Sequence, residues 1–371
     1  MYPEGHYIRN IEINDDHLNV VFAERKKIAL LFVAINDRYW PYLKNVIEDC
    51  QKHFLPQHDV DYFVWTDMPI ADTPAYLDKL SRLLPEEAFN QSVALGTRPP
   101  DQWWSRETIK STVDFLREQK TIHLQETEGI DWPAPTLMRY HLFLNAKEKL
   151  KEYDYIFYMD ADMRVVDKIS DEVLGEGITA AEHPMYSLKP QYIPPYEPNK
   201  ESTAYIHRLG QIVDENGSRR FKPYYVAGGF QGGKSGHFIE AMKIIKKNID
   251  TDFNNNYVAI WNDESHWNKY LWDYTGDLTV LSPSYIYPDS LIKEYYIPLW
   301  GRDYPPKIIT LTKPFSLSKE AGQQLNAMMG GQQPKHCPQC KDVLDAPGYE
   351  IKRILQCPGS GKAHQVDMTK L

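Results

Sequence analysis

A short apolar run that stops on two aspartates constrains this chain more than any other feature. Residues Tyr155–Met159 are all apolar or aromatic, and Asp160-Ala161-Asp162 follows them directly. An apolar run of this length between polar residues is typical of a central strand that is buried on both faces of a sheet. Because side chains alternate along an extended chain, Asp160 and Asp162 are expected to point to the same side, at the carboxyl end of that strand.

A carboxylate pair in this position suits a hard divalent cation, which keeps some of its water and bridges to phosphate oxygens. The pair therefore indicates a sugar-nucleotide site that uses Mn²⁺ or Mg²⁺. Two other interpretations of the motif exist, since Asp-x-Asp after a strand can be a solvated loop or the nucleophile pair of a phosphatase. A phosphatase pair wants Thr or Val two residues after the second aspartate, and Arg164 occupies that place.

The composition sets the class of protein. With 371 residues, 42 % hydrophobic and 25 % charged, the chain has ordinary globular usage and can bury a sizeable core. A net charge of -9 argues against nucleic acid as the main partner. No stretch approaches the roughly 18 apolar residues of a membrane span, and the N-terminus lacks a basic-then-apolar signal. We therefore expect no membrane span and a cytoplasmic protein.

Strand and helix patterns alternate along most of the chain, which predicts an α/β fold with a largely parallel sheet. Residues 187–223 are rich in Pro and Tyr, and we interpret them as a long loop and a candidate acceptor or lid region. Strands or extended segments are predicted at 26–35, 61–66, 122–124, 155–159, 178–182 and 280–287. Helices are predicted at 40–54, 75–84, 107–118, 136–150, 238–247 and 259–270.

Two further segments carry chemistry. The first is YYVAGGFQGG (224–233), in which four glycines within six residues let the backbone approach a ligand closely. It lacks the spacing of a phosphate-binding loop. The second is WNDESHWNKY (261–270), with Asp263 and Glu264 in the first turn of a predicted helix. Acidic residues there also complement the helix dipole, so helix capping is the alternative to a catalytic role.

Taken together, these segments resemble glycosyltransferase family 6, and the match runs in the same order over about residues 28–310. The motifs that carry it are DWPAPTLMRYHLFL, YIFYMDADM, EHPMY, YYVAGGFQGG, IWNDESHWNKYL and LSPSYIYP. The resemblance implies a GT-A fold, which combines a Rossmann-like nucleotide-binding sheet with an acceptor-binding half. It also implies retaining α1,3 transfer of N-acetylgalactosamine or galactose from UDP-GalNAc or UDP-Gal to a galactose-containing glycan.

The resemblance also assigns residues to roles. Asp160 and Asp162 match the pair that holds Mn²⁺ against the UDP diphosphate, and Glu264 matches a glutamate below the anomeric carbon of the donor, with Asp263 beside it on the donor sugar. The implied donor-binding residues are Ala34, Ile35, Tyr39, Arg139, Asp160, Ala161, Asp162, Ala227, Gly228 and Gly229. The implied acceptor-binding residues are His183, Tyr196, Glu197 and Trp261.

Two details refine the expected function. Ala227 and Gly229 stand where the family discriminates between donors, and small residues there favour UDP-GalNAc by leaving room for its acetamido group. Asn262 stands where the family usually has His. Together with the additional tail, Asn262 keeps open the alternative of a non-catalytic glycan- or UDP-sugar-binding protein.

Outside the main domain, predicted at 28–313, we expect an N-terminal arm (1–27), a linker (314–334) and a small module (335–371). The last contains Cys337, Cys340, Cys357 and His364, which resemble the Cys3His ligand set of a structural zinc ribbon. Free or redox-active thiols at Cys337 and Cys340 are the alternative. The family does not carry this tail. The uneven spread of four cysteines does not suggest a disulfide framework.

Overall fold

The structure is a computed structural model and describes residues 5–14, 17–69, 71–97, 102–130, 133–187, 194–207, 225–290, 305–312, 353–356 and 363–366. Its helices are α1 (Trp40–His53), α2 (Pro74–Arg82), α3 (Glu86–Ala94), α4 (Arg106–Glu118), α5 (Ala134–Asn145), α6 (Lys147–Leu150), α7 (Pro184–Ser187), α8 (Ser235–Asn254) and α9 (Asn262–Asp273). Its strands are β1 (His6–Asn14), β2 (His17–Glu24), β3 (Lys27–Ala34), β4 (Asp59–Thr66), β5 (Ile122–Glu126), β6 (Tyr155–Met159), β7 (Met163–Val165), β8 (Ile178–Glu182), β9 (Val226–Lys234), β10 (Leu278–Leu281), β11 (Tyr287–Pro288), β12 (Ile308–Thr310), β13 (Arg353–Gln356) and β14 (Ala363–Val366).

A seven-stranded mixed sheet forms the centre of the fold, in the order β10-β8-β9-β6-β3-β4-β5. Strand β9 runs antiparallel to its neighbours β6 and β8, and the other neighbouring pairs are parallel. The carboxyl ends of the parallel strands and the amino end of β9 therefore share one edge of the sheet, which we call the carboxyl edge. The predicted α/β class and the central place of β6 are confirmed.

Helices cover both faces of this sheet and form an apolar core on each face. The side chains of β3 alternate between these two cores. Ile28, Leu30 and Phe32 pack with residues of α1, α2 and α4. Ala29 and Leu31 point the other way and pack with residues of α5, α8 and α9. Burial on both faces explains why β3 and β6 read as continuous apolar runs rather than as alternating patterns.

A small sheet of β11, β12 and β7 closes the fold behind the Asp-x-Asp motif. Strand β7 follows the motif and pairs antiparallel with β12, so Met163 lies opposite Thr310. The backbone N–H of Leu311 donates to the carbonyl of Asp162 over 2.9 Å. The segment 305–312 is therefore part of the same unit as the aspartate pair.

Four details differ from the sequence patterns. Residues 136–150 form two helices, because Ala146 leaves the helical conformation between α5 and α6. Residues 280–287 contain a 3-10 turn, Pro283–Tyr285, between short strands. The helix α3 was not predicted, and it buries none of its residues, so it has no clear apolar stripe. The arm at 1–27 contains a hairpin of β1 and β2, whose Tyr7 hydroxyl donates to Asp171.

The tail is described over two short strands. β13 and β14 pair antiparallel, with Leu355 opposite His364. The predicted zinc ligands Cys337, Cys340 and Cys357 lie outside the described residues, as do the side chain of His364 and the predicted linker. Within the described part of the chain, no helix is long and apolar enough to cross a membrane.

Candidate functional site

A pocket opens at the carboxyl edge between the loop after β3 and the aspartates after β6. It brings together six of the residues that the sequence assigns to donor binding, which are Ile35, Tyr39, Arg139, Asp160, Ala161 and Asp162. Val33, Asn36, Arg38, Ile130, Pro135, Thr136 and Tyr158 complete its lining. These segments lie far apart in the sequence, and the parallel order of β6 and β3 makes them neighbours.

The backbone of the aspartate pair is fixed from two sides. The N–H of Asp160 donates to the carbonyl of Gly229 over 2.9 Å, and Leu311 donates to the carbonyl of Asp162. The hydroxyl of Tyr158 donates to the Asp160 carboxylate. Both carboxylates line the pocket. The pair is therefore held in place before any ligand binds.

This donor set fits a divalent cation of the Mg²⁺ or Mn²⁺ type. Such ions take one or two carboxylates from the protein and complete their shell with phosphate oxygens and water. Among the described residues, no group of three or more His, Cys, Asp or Glu could hold a metal. Two oxygen ligands facing an open pocket match the mode in which the substrate supplies the remaining ligands.

Arg139 links the aspartate pair to the acidic residues of α9. Its guanidinium lies 3.6 Å from an Asp160 oxygen and 3.1 Å from an Asp263 oxygen, and it donates to the carbonyl of Gly228 over 3.1 Å. It also stacks over the ring of Tyr158 at 4.4 Å. Because Arg139 is only 5 % exposed, its charge acts in a medium that screens it weakly.

The two acidic residues in the first turn of α9, Asp263 and Glu264, are both protonated more readily than usual. Burial raises the pKa of Glu264 to about 7, although the 2.8 Å hydrogen bond from the Gly228 N–H opposes that shift. Burial also raises the pKa of Asp263 to about 7, against the attraction of Arg139. Buried carboxyl groups with such shifts are often found at functional sites, which favours a catalytic role over helix capping for this pair.

The glycine-rich segment is the buried strand β9 rather than a loop. A Cβ placed on Gly229 would lie 2.6 Å from an oxygen of Asp160, 2.7 Å from Met163 Cε and 3.0 Å from Ile286 Cδ1. Protein atoms therefore fill the space beside Gly229, so its small size serves the packing of Asp160. Ala227, the other position used to infer donor preference, is also buried, with 4 % of its surface exposed.

Substituting Gly229 by Ala should displace Asp160 and weaken metal-supported UDP binding. We expect a loss of about 10- to 100-fold in UDP affinity in the presence of Mn²⁺, the range typical of residues that orient metal ligands. Calorimetric titration with UDP, with and without Mn²⁺, measures it. Gly236→Ala is the matched control, because a Cβ there meets no atom within 4 Å. Unchanged UDP affinity in Gly229→Ala, with an altered donor preference, would contradict this packing role.

The loop after β3 depends on an aspartate that received no role from the sequence. Ala34 lies in the core with no exposed surface and does not line the pocket, so its assignment to donor contact is not met by its side chain. Asn36 adopts a positive φ of 81°. One oxygen of Asp67 accepts from the Asn36 N–H over 2.8 Å and from the indole N–H of Trp40 over 2.9 Å. Asp67 directly follows β4, and that position was the signal available in the sequence.

Removing the Asp67 carboxylate should loosen this loop and weaken donor binding. In Asp67→Ala, the loss of two hydrogen bonds of roughly 1 kcal/mol each predicts a rise of about tenfold or more in the donor KM, with little change in kcat. Steady-state kinetics with varied donor separates the two constants. Asp67→Asn keeps an acceptor oxygen and should stay near the unmodified protein. Equal damage in both variants would show that charge, not loop geometry, matters.

The predicted acceptor residues lie near the amino end of β9 and the start of α9, and they differ in how far they are exposed to solvent. His183 and Tyr196 pack their rings on Tyr225, at centroid distances of 5.8 and 5.3 Å. Burial lowers the pKa of His183 to about 4. Trp261, at the N-terminal boundary of α9, is 45 % exposed. Trp261 is therefore the most accessible of the four.

Glu197 is expected to contact an acceptor, but the structure buries its side chain among internal partners. It is 2 % exposed, and its oxygens accept from the Asn199 N–H at 2.8 Å, the Tyr257 hydroxyl at 2.6 Å and the Ile260 N–H at 2.7 Å. In this structure it ties the segment 194–207 to the chain before α9. The structure gives the Glu197 carboxylate an internal partner on each oxygen, and its contact with an acceptor stays a prediction.

Comparison with known proteins bears on this geometry. A family model described as glycosyltransferase family 6 matches residues 112–297, which is half of the chain and includes both acidic motifs and the glycine-rich strand. The chain belongs to glycosyltransferase family 6. The predicted recognition is thereby confirmed, and it covers the elements α5, β6, β9 and α9 that build the site.

Individual relatives of this family 6 chain are distant. It is 29 % identical over 279 residues to histo-blood group ABO system transferase 1 of Rattus norvegicus, covering 75 % of this chain and 66 % of that protein. It is 25 % identical over 254 residues to globoside alpha-1,3-N-acetylgalactosaminyltransferase 1 of Homo sapiens, covering 68 % and 58 %. The O-antigen biosynthesis glycosyltransferase WbnI of Escherichia coli is 29 % identical to it over 176 residues, which cover 47 % of this chain and 70 % of that protein. The first of these matches spans slightly less than two thirds of its relative's length.

Proposed function

We propose that this family 6 chain is a retaining α1,3-glycosyltransferase that moves a sugar from a UDP donor to a galactoside acceptor. The observation that carries the proposal is that the aspartate pair, Arg139 and the acidic first turn of α9 meet at one edge of the sheet. The aspartate pair lies in a pocket beside the loop after β3, and Arg139 bridges it to Asp263. Glu264 accepts from the N–H of Gly228, and the carbonyl of the same residue accepts from Arg139. The names of the relatives support the class of reaction.

The reaction exchanges one bond to the anomeric carbon for another. The bond between that carbon and the diphosphate oxygen breaks with its electron pair going to UDP. An acceptor hydroxyl oxygen forms the new bond, and its proton passes to a phosphate oxygen of the released UDP or to water. A divalent cation held by Asp160 and Asp162 would neutralise the negative charge that develops on the departing diphosphate. Arg139, fixed beside Asp160, adds a positive charge in a poorly screened setting.

Glu264 supplies the carboxylate that the donor sugar needs as positive charge develops on it. A carboxylate can act there as a nucleophile or as an electrostatic stabiliser, and both roles require its ionised form. Asp263 shares Arg139 with the aspartate pair, so it can orient the donor sugar without leaving its ion pair. Retention of configuration is compatible with either role of Glu264.

For the donor, we propose UDP-GalNAc in preference to UDP-Gal. Ala227 is a small residue between Val226 and Gly228, whose backbone N–H groups donate to side chains of α9. The named human relative is an N-acetylgalactosaminyltransferase. Pockets that differ by a small group discriminate by only about 1–3 kcal/mol, so measurable activity with UDP-Gal is expected as well.

The test measures UDP release from UDP-GalNAc and UDP-Gal, each with Mn²⁺ or EDTA, with and without a panel of galactosides. We expect release that depends on Mn²⁺ and is stimulated by an acceptor, faster with UDP-GalNAc. Measurable UDP binding without release from either donor would overturn the proposal in favour of a sugar-nucleotide- or glycan-binding protein.

A further inference from the structure

A buried amide lies one helical turn beyond Glu264 on α9. Asn268 is 5 % exposed, and its side chain makes three hydrogen bonds. Its Oδ1 accepts from the Val226 N–H over 2.9 Å, and its Nδ2 donates to the Val226 carbonyl over 2.8 Å and to the Glu264 carbonyl over 2.9 Å. Both hydrogens of the amide are thereby used, so this side chain is committed to a single orientation.

Val226 lies where the pairing of β9 with β8 is irregular. It opens the strand, and its pairing partner Glu182 follows a register shift in β8 after Ala180. Such an irregularity disrupts the ladder locally. The Asn268 amide offers Val226 one acceptor and one donor, the pair that the peptide of a neighbouring strand would offer. It therefore fixes the start of β9 on α9.

Glu264 is tied to the same strand at a second point. The Gly228 N–H donates to a carboxylate oxygen of Glu264 over 2.8 Å, two residues along from Val226. The Glu264 main chain is therefore held through Asn268, and its side chain through Gly228. Two separate links to β9 restrict both the position and the direction of the carboxylate.

We propose that Asn268 is a positioning residue that places Glu264 for the transfer step and leaves donor binding largely unaffected. The inference rests on the proposed function. Asn268, Val226 and Glu264 are not among the residues that line the pocket beside the aspartate pair. Loss of the amide should therefore act on kcat, because a misplacement of about 1 Å can cost on the order of 10²-fold in rate.

The experiment compares Asn268→Asp with the unmodified chain and with Lys269→Ala, a change at the next residue, whose side chain reaches Asp273 on the helix surface. Asn268→Asp keeps the shape and the acceptor for Val226, but it turns an oxygen towards the carbonyls of Val226 and Glu264. Titration with UDP counts competent sites, and the transfer rate is expressed per UDP-binding site. We expect kcat per site to fall about 10²-fold in Asn268→Asp, with UDP affinity and donor KM near those of the unmodified chain. Lys269→Ala should match the unmodified chain.

Each other outcome contradicts the inference. Unchanged kcat per site in both Asn268→Asp and Asn268→Ala would reduce Asn268 to a structural role. Loss of UDP binding in both variants would show that the donor pocket depends on it. Inactivity of the unmodified chain would be a failure of the proposed function itself, and it would remove the positioning role with it.

Discussion

Replacing Asp160 and Asp162 together by asparagine is expected to abolish the stimulation of transfer by Mn²⁺. Asparagine keeps the size of each side chain and an acceptor for the Tyr158 hydroxyl, so the pocket should retain its shape. Both negative charges are lost, and Arg139 then faces Asp263 alone. A cation supplies several kcal/mol of transition-state stabilisation, and about 1.4 kcal/mol corresponds to tenfold, so a loss on the order of 10³-fold is expected.

The measurement is the ratio of transfer rates with Mn²⁺ and with EDTA in the double variant. Asp167→Asn is the matched control, since it removes an exposed carboxylate a few residues further along the same segment. The unmodified chain and the control should respond to Mn²⁺ alike. A double variant that still responds fully would mean that the cation binds elsewhere.

Glu264→Gln is expected to lose transfer by about 10²- to 10³-fold or more while it continues to bind UDP. Glutamine can still accept the hydrogen bond from the Gly228 N–H, so the change removes charge more than geometry. Charge that develops on the reacting sugar would then have no carboxylate facing it, and such losses cost about this much. Asp273→Asn at the other end of α9 is the control, because it removes an exposed charge from the same helix. Activity retained in Glu264→Gln would take Glu264 out of the mechanism.

The same variant tests the raised pKa of Glu264 through stability. A carboxyl group with a pKa near 7 in the folded chain and about 4.5 when unfolded binds more protons in the folded state between those values. The free energy of unfolding of the metal-free chain should therefore fall as the pH rises from about 4.5 to about 7, and then level off. In Glu264→Gln this fall should be smaller, with Asp263 still contributing in the same direction. Thermal unfolding across that pH range would show it, and an identical slope in both proteins would argue against the shift.

Much of the sheet could be predicted because its strands carry strong local signals. Residues 28–34 of β3, 62–65 of β4 and 155–159 of β6 form continuous apolar runs, since both faces of each strand are buried there. The Asp160 and Asp162 pair follows from strand periodicity, and its place at the carboxyl edge follows from a parallel order. Periodicity likewise predicts α1 and α4 to within one residue at each end, whereas the helix predicted at 238–247 covers only the middle of α8.

The parts that were missed depend on contacts between residues far apart in the sequence. Asp67, Gln231 and Asn268 are polar residues whose roles are set by hydrogen-bond partners on other elements. Gln231 has no exposed surface, donates to the Gly228 carbonyl over 2.9 Å and accepts from the Tyr140 hydroxyl over 2.9 Å. No periodicity marks such residues. Gly229 was predicted to leave room for the donor, and in the structure its neighbour is Asp160, which only the pairing of β6 with β9 brings close.

The reversed direction of β9 puts both ends of the connection between β8 and β9 at the carboxyl edge, so this connection can be exchanged without changing the other strands. Strand β8 ends at the carboxyl edge and β9 begins there, so residues 183–225 leave and re-enter the sheet on the same side. Within them, the described segment 194–207 is held by hydrogen bonds. Glu197 accepts from Tyr257 and Ile260, and Asp252 accepts from the Ser202 hydroxyl and the Thr203 N–H. A graft that keeps these hydrogen bonds and replaces other residues of the connection should leave the pocket beside the aspartate pair and the core as they are. On the proposed function, such a graft should change which acceptor is used.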